Sequence, residues 1–374
     1  MKTKRYVSLL LALLLSFSVL LNTSCKKKDT NSASGTHIVT DHNGNQVEVK
    51  NKIDRIVVCD IFPLPSVLTV FFDSAEKIVG MNEASMIAAK NGLLGQLYPE
   101  ILNAKTNFMD GSNVNIEELT KLEPDIVFYS ATNKELGDLL TSRGFTAIGV
   151  SVNKWQYNAI ETLNNWFSLL GQIFPENDKA DKVATRSNEI YKKVQDRVSS
   201  LSQEEKRRVF FLFQISDTTI TTSGKQFFGQ WWAEAIGAVN VAEELSTDNS
   251  VAVNIEQVYS WNPDLVFITN FNQAYPQDLY ENKIGNYDWS EIDAIKNKQA
   301  FKMPLGMYRS YTPGADTPIT LLFLAKCAYP DLFSDIDITK ETKDYYKDLF
   351  GISLTDEQAA SIFNPDSASG NVYI

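Results

Sequence analysis

A sixteen-residue stretch that occurs twice constrains the fold of this 374-residue chain more than any other feature. The first copy, NIEELTKLEPDIVFYS, runs from Asn115 to Ser130, and the second, NIEQVYSWNPDLVFIT, runs from Asn254 to Thr269. Seven of the sixteen positions are identical, although the copies lie 139 residues apart. Each copy opens with an asparagine that favours a helix N-terminus and continues through Pro-Asp into an apolar run typical of a buried strand. The repeat therefore predicts two similarly built α/β lobes.

Apolar strand-like runs alternate with helix-like stretches on both sides of a central helical region, which predicts mostly parallel sheets. Within the central region, residues 178–201 carry a single apolar stripe and predict a rigid helix about 36 Å long at 1.5 Å per residue. The expected fold is α/β, with two Rossmann-like lobes joined by one long α-helix. The predicted boundaries are residues 37–156 for the first lobe, 157–201 for the helical connector, 202–363 for the second lobe and 364–374 for a loose tail.

The first 24 residues are predicted to be a signal peptide. Basic residues precede an apolar run at positions 7–21 that is short for a membrane span. Small residues then precede Cys25, as in a bacterial lipoprotein signal; a plain secretory signal with a chance cysteine is the alternative. Residues 25–36 are polar and predict a flexible tether. We therefore expect an exported chain that carries a lipid on Cys25.

The charge balance limits the class of partner. The formal net charge is −11, and removal of the signal leaves 32 basic against 46 acidic residues, a net charge of −14. An acidic chain of this kind is not expected to bind nucleic acid. A local cleft can still accept an anion. The two later cysteines, Cys59 and Cys327, lie in apolar runs and are predicted to be unpaired buried thiols.

The residue inventory argues against catalysis and against a bare-metal site. The chain contains only two histidines, His37 and His42, whereas a zinc or manganese site needs several converging His and carboxylate ligands. The sequence has no GxSxG, HExxH, CxxC or P-loop motif. We expect a binding protein with no cofactor and no resident metal. A ligand-sensing receptor or adhesin is the alternative from another class.

Six segments resemble one protein family. In chain order they are VTDHNGNQVEVKNKIDRIVV, NIEELTKLEPDIVFYS, TTSGKQFFGQWWAEAIGAVNVA, NIEQVYSWNPDLVFIT, PGADTPITLLFLAKCAYPDLFSDID and DYYKDLFGISLTDEQ. The chain resembles the substrate-binding lipoproteins of ABC importers for iron–siderophore complexes, haem and cobalamin, the TroA-like class III periplasmic binding proteins, which include a molybdate- and tungstate-binding branch. The resemblance implies a monomer on the outer face of the bacterial cytoplasmic membrane. It also implies a ligand in the interlobe cleft and delivery to a permease dimer with ATPase subunits.

Loops after the carboxyl ends of parallel strands are the expected ligand-binding positions. Arg309 offers a fixed fork of donors for a carboxylate, phosphate or metal oxyanion, and neighbouring tyrosines could flank a planar chelate. A surface salt bridge is the alternative for Arg309, a packing role for Trp155 and plain solvation for Lys225. The candidate ligand-binding residues are Phe62, Glu83, Trp155, Lys225, Phe227, Tyr308, Arg309 and Tyr311.

Two ligand classes remain open at this point. An iron complex of the siderophore, haem or corrinoid type is favoured, because aromatic and cationic side chains are abundant among the candidates. A small oxyanion such as molybdate or tungstate is the alternative, because backbone N–H groups, hydroxyls and Arg309 could surround it.

The repeat also raises a question about its glutamates. Glu117 and Glu256 each follow the N-cap asparagine by two residues, where the positive helix end favours an acid by about 0.3–1 kcal/mol. Helix-end electrostatics explains either glutamate alone. The family resemblance implies a second role, in which one exposed glutamate on each lobe docks into an arginine pocket of a permease subunit.

Overall fold

The computed structural model describes residues 35–111 and 113–371. The predicted signal peptide, Cys25 and the tether as far as residue 34 lie outside the described residues. The described residues from position 36 onward form one compact unit. A hairpin of β1 (Thr36–Thr40) and β2 (Gln46–Lys50) opens this unit, and Asn43-Gly44 lies in the turn between the two strands.

The first lobe is built on a four-stranded parallel sheet in the order β4-β3-β7-β8. Its strands are β3 (Ile56–Val58), β4 (Ile78–Met81), β7 (Ile126–Ser130) and β8 (Ala147–Val150), and β5 (Met109–Asp110) pairs separately with β6 (Asn113–Val114). Its helices are α1 (Leu64–Phe72), α2 (Glu83–Asn91), α3 (Leu93–Leu97), α4 (Ile116–Lys121) and α5 (Lys134–Ser142), with a 3-10 helix at Pro99–Asn103.

The second lobe repeats that sheet in the order β12-β9-β14-β15. Its parallel strands are β9 (Arg208–Leu212), β12 (Val239–Asn240), β14 (Leu265–Ile268) and β15 (Ala300–Lys302), and β10 (Gln214–Ile215), β11 (Ile220–Ser223) and β13 (Ser250–Val253) form an antiparallel sheet beside it. Its helices are α8 (Phe228–Ala235), α9 (Ile255–Trp261), α10 (Pro276–Tyr280) and α11 (Asp293–Lys296).

The repeated stretch occupies the same place in both lobes. In each copy a short helix leads into the third strand of the sheet, β7 in one lobe and β14 in the other. The repeated aspartate fixes the start of the strand that comes first in the chain, β3 in one lobe and β9 in the other. Asp125 accepts a hydrogen bond from the Arg55 backbone N–H at 3.0 Å, and Asp264 accepts one from the Arg208 N–H at 2.8 Å. Each copy therefore forms the same helix–strand unit at the same place in its sheet, and the predicted α/β fold is confirmed.

A helical layer joins the lobes. It consists of α6 (Ala159–Ile173) and α7 (Lys179–Val198), against which α12 (Thr317–Ala328) packs. The 20 residues of α7 span about 30 Å. One stripe of α7 is buried and includes Val183, Ile190 and Val194. A continuous apolar core runs from the first lobe through this layer into the second lobe. We expect it to resist large hinge motion.

The C-terminal region differs from the sequence expectation. After α13 (Ile338–Phe350) and α14 (Asp356–Phe363), residues Ser367–Gly370 form a 3-10 helix in which Ser369 and Gly370 are buried. The sequence predicted a loose tail over residues 364–374, because the stretch has no hydrophobic periodicity. Its order comes from non-local contacts instead, which a sequence pattern does not reveal.

Cys59 and Cys327 are both free thiols, as predicted. Cys59 is buried, whereas Cys327 is only partly so. Among the described residues, no helix has both the length and the apolar character needed to cross a bilayer.

Candidate functional site

Three of the eight candidate ligand-binding residues line one cavity of about 800 Å³. Trp155 contributes from the loop after β8 in the first lobe, and Lys225 and Phe227 contribute from the loop between β11 and α8 in the second lobe. The complete lining is Lys154, Trp155, Gln156, Tyr157, Asn158, Glu161, Lys225, Gln226, Phe227, Gln230, Trp231, Glu234 and Asp248. The cavity therefore combines aromatic faces, two lysines and three carboxylates from both lobes.

The loop after β8 is held in a strained conformation. Gln156 and Tyr157 have φ angles of 52° and 59°, a left-handed region that a bulky side chain rarely adopts. The Tyr157 hydroxyl donates a hydrogen bond to the Asp248 carbonyl at 2.7 Å, across to the second lobe. Its ring packs edge-on against Phe227 and Phe228, with centroids 5.4 and 4.8 Å away. Strain of this kind persists where surrounding contacts over-determine it and is common at binding sites.

Trp155 rests on the N-terminal hairpin. Its ring meets His42 edge-on at a centroid distance of 4.9 Å, and the Lys154 ammonium lies 6.0 Å from the Trp155 ring centroid. His42 Nδ1 accepts a hydrogen bond from the Ser151 N–H at 3.0 Å. Burial and the Lys154 charge lower the pKa of His42 to about 4, so this imidazole is neutral at physiological pH. A neutral, hydrogen-bonded ring is a stable support for the Trp155 indole.

The second-lobe wall depends on a close backbone approach at Gly224. A Cβ at that position would lie 2.2 Å from the Leu245 carbonyl oxygen, so only glycine fits. The next residue, Lys225, donates its backbone N–H to the same carbonyl at 2.8 Å and keeps its side chain exposed. Phe227 then packs on Phe213 at a centroid distance of 5.7 Å. The turn thus presents a cation and an aromatic face together.

The other cluster of candidates, around Arg309, lies behind the cleft surface. Arg309 and Tyr311 are fully buried and Tyr308 is nearly so. Burial raises the pKa of Tyr308 and that of Tyr311. The Tyr311 ring packs against Phe213 and Phe227 from within the core. None of Tyr308, Arg309 and Tyr311 lines the cavity at Trp155.

The remaining two candidates stand apart from that cavity as well. Phe62 is 36% exposed in the loop after β3, and its carbonyl accepts a hydrogen bond from the Ser85 hydroxyl at 2.7 Å. Glu83 is partly exposed at the first residue of α2. Both follow strands of the first lobe, as predicted, but neither is part of the lining.

The paired glutamates of the repeat are both exposed. Glu117 and Glu256 occupy the second position of α4 and α9, the equivalent helices of the two lobes. Among the described residues, neither carboxylate makes a hydrogen bond or an ion pair. The neighbouring Glu118 is different, because it accepts hydrogen bonds from Lys121 at 2.5 Å and Asn107 at 2.8 Å. Glu118 thus makes contacts within the first lobe, whereas Glu117, the acid that recurs as Glu256, faces solvent.

Two site residues escaped the sequence reasoning. Tyr157 and Asp248 make the polar contact between the lobes at the cavity. Tyr157 lies only two residues after Trp155, and its aromatic character was a usable signal. Asp248 carried no signal, because the contact uses its backbone carbonyl. Within residues 35–111 and 113–371, no three His, Cys, Asp or Glu side chains are arranged to hold a metal ion.

Comparison with known proteins gives consistent matches. The family model described as periplasmic binding protein matches residues 75–305. The molybdate-binding protein MolA of Haemophilus influenzae is 26% identical over 349 residues, covering 88% of this chain and 95% of MolA. An ABC transporter substrate-binding lipoprotein of Bacillus subtilis, YvrC, is 24% identical over 83% of this chain and 92% of its own length. The crystal structure of a periplasmic solute binding protein from Veillonella parvula superposes with a TM-score of 0.78 at 27% identity, covering 88% and 97% of the two chains.

Proposed function

Because the chain belongs to the periplasmic binding protein family, as a substrate-binding protein of an ABC transporter, we propose that it captures an iron complex of the siderophore, haem or corrinoid type in the interlobe cavity. The bound complex is then delivered to the permease. This role is transport without catalysis, in line with relatives named as molybdate-binding, substrate-binding and solute-binding proteins.

The observation that carries the proposal is the cavity at Trp155, Lys225 and Phe227. Its volume of about 800 Å³ suits a ligand of chelate size. Aromatic faces can pack against the organic part of a chelate, and the two lysines at the rim can attract its negative charge. The lining carries three carboxylates against two lysines, so most of the affinity for the complex has to come from its contact with the aromatic faces.

A second candidate function is capture of molybdate or tungstate. It is supported by the similarity to MolA, which covers most of both chains. The observation against it is the size and acidity of the cavity, because a small oxyanion needs converging donors and few nearby acids. Both candidates use the same transporter role and differ in the ligand.

Glu117 and Glu256 are the proposed contacts with the permease. They lie at equivalent positions of two similar lobes, and their carboxylates have no partner in the described part of the chain. Two lobes can thereby meet two permease subunits with one acid each. Exposed charges of this kind steer and orient a complex and add less to its raw affinity.

We expect Cys25→Ala to release the protein from the membrane or to leave it unprocessed. A lipid on Cys25 would hold the chain at a membrane surface, and each buried CH₂ contributes about 0.8 kcal/mol. Fractionation of cells into membrane and soluble parts, followed by intact-mass measurement, checks this prediction. A Cys25→Ala protein that remained membrane-bound and normally processed would contradict it.

Titration of the purified protein with ferric chelates tests the proposed substrate class. A catecholate and a hydroxamate complex of iron are added separately while tryptophan fluorescence is followed. We expect saturable quenching with one chelate per chain, and a smaller signal in Trp155→Phe protein, since Trp155 lines the cavity. Binding of molybdate or tungstate without binding of either chelate would favour the second candidate.

A further inference from the structure

The C-terminal segment, residues 365–371, lies between the two lobes. It packs against α2 of the first lobe. In the second lobe the Tyr275 hydroxyl donates a hydrogen bond to the Pro365 carbonyl, and the Gln273 amide donates one to the Asn371 side chain. A chain end that bridges the lobes at the carboxyl side of their strands occupies the place where this type of fold binds ligands.

The segment supplies the hydrogen-bond partners of a buried arginine. Arg309 is fully buried, and its Nε donates to the Ser369 carbonyl at 2.9 Å. Its Nη2 donates to the Asn371 carbonyl at 3.0 Å. Within the described residues Nη1 makes no hydrogen bond, and Arg309 forms no salt bridge. A guanidinium fork suits a carboxylate or oxyanion, yet here its hydrogen bonds go only to neutral carbonyls, and its face lies over the Phe271 and Tyr308 rings.

A second buried cation lies in the same region. The Lys302 ammonium donates to the carbonyls of Thr269, Asn272 and Ala274 at 2.8–2.9 Å. Lys302 forms no salt bridge with any residue that the structure describes. Burial, opposed by Asp278 and reinforced by the Arg309 charge, lowers its pKa to about 7. Arg309, joined by Lys302 when the Lys302 amine is protonated, creates a positive potential among neutral oxygens that an anion would neutralise.

One side of residues 365–371 is in close contact with the second lobe, and two cavities border the segment elsewhere. A Cβ on Gly370 would lie 2.2 Å from the Asn272 carbonyl oxygen, so the 3-10 helix touches the second-lobe backbone. Cavities of about 520 and 850 Å³ border it, one lined by Pro365, Asp366 and Ser367 and the other by Gly370 and Asn371. These spaces leave room for the segment to move.

We propose that residues 365–371 fill an anion-binding site centred on Arg309 and are displaced when an anion binds there. The Ser369 and Asn371 carbonyls stand where the oxygens of an oxyanion or carboxylate would bind, and a fully charged ligand forms stronger hydrogen bonds to the guanidinium than they do. The row of rings formed by Phe227, Phe213 and Phe271 separates this site from the cavity at Trp155. The site is therefore additional to the proposed chelate cavity.

Calorimetric titration with two probes, molybdate and citrate, tests the proposal. The proteins compared are the full mature chain, a chain ending at Asn364, Gly370→Ala, and the shortened chain with Arg309→Gln. Ser367→Ala is the matched control, because Ser367 belongs to the same segment but is exposed. Circular dichroism and thermal melting establish that each variant is folded.

We expect the shortened chain to bind at least one probe about tenfold more tightly than the full chain, and Gly370→Ala to shift affinity in the same direction. Ser367→Ala is expected to have no effect, and Arg309→Gln to abolish the gain. Molybdate alone would identify an inorganic oxyanion site, and citrate alone a carboxylate site. In the full chain, either probe should speed amide hydrogen exchange in residues 365–371.

A folded shortened chain that binds neither probe more tightly would overturn the proposal, as would a gain that survives Arg309→Gln. If the shortened chain does not fold, Gly370→Ala and the exchange measurement decide, and unchanged results in both would also overturn it. Ferric chelate binding is measured separately on the same proteins. Its absence would count against the proposed function and not against the Arg309 site.

Discussion

Glu117→Ala/Glu256→Ala protein is expected to bind its ligand normally and to lose most of its transport activity. Each carboxylate is exposed and has no hydrogen-bond or ion-pair partner in the described residues, so its removal leaves the lobes intact. Loss of the helix-end interaction costs about 0.3–1 kcal/mol for each glutamate. Uptake should fall about tenfold in each single variant and further in the double variant, since each lost contact with a cationic pocket weakens docking.

Glu118→Ala is the matched control for this experiment. Glu118 lies beside Glu117 on the same short helix, but its carboxylate is bound to Lys121 and Asn107. Its substitution should alter stability slightly and leave uptake unchanged. Normal uptake by a well-expressed double variant would remove the docking role and leave helix-end electrostatics as the reason for the repeated acid.

Trp155→Ala/Lys225→Ala protein is expected to bind a ferric chelate about a hundredfold more weakly than the unmodified protein. Truncation of an aromatic residue at the centre of a binding site costs about 2 kcal/mol or more, and loss of a charged contact adds to it. A loss of 1.4 kcal/mol of binding free energy weakens the affinity about tenfold. A hundredfold loss of affinity therefore requires that both side chains contact the ligand. Calorimetric titration with the chelate measures it.

Two variants make that result specific. Trp155→Phe retains an aromatic face against His42 and should recover most of the affinity. Lys192→Ala removes an exposed lysine from α7, where it pairs with Asp196 away from the cavity, and should change nothing. Equal affinity in Trp155→Ala/Lys225→Ala and unmodified protein would exclude this cavity as the chelate site.

Local chain chemistry predicted the architecture well. The repeated Asn, Glu and Pro-Asp positions pointed to two equivalent helix–strand units, and both sheets have the same strand order. The rule that ligands gather after the carboxyl ends of parallel strands predicted eight ligand-binding residues, of which Trp155, Lys225 and Phe227 line the interlobe cavity. Lys225 and Phe227 follow β11 of the antiparallel sheet, and the binding role of all eight stays a prediction. These features depend on short segments whose structure follows from their own residues.

Contacts between distant segments were beyond the same reasoning. Arg309 has the chemistry of an anion ligand, and no sequence pattern indicated that carbonyls some 60 residues later would occupy its fork. Tyr157 adopts a left-handed conformation because it is fixed by Asp248 and by two phenylalanines of the other lobe. Such tertiary contacts override local preference, so they become visible only in the folded chain.

The most direct test of the central claim is the position of the metal in crystals of the protein grown with a ferric chelate. Anomalous scattering from iron locates the metal without reference to the organic part of the ligand. We predict one anomalous peak inside the cavity lined by Trp155, Lys225 and Phe227. A peak beside Arg309 and residues 365–371, or no ordered iron between the lobes, would contradict the account.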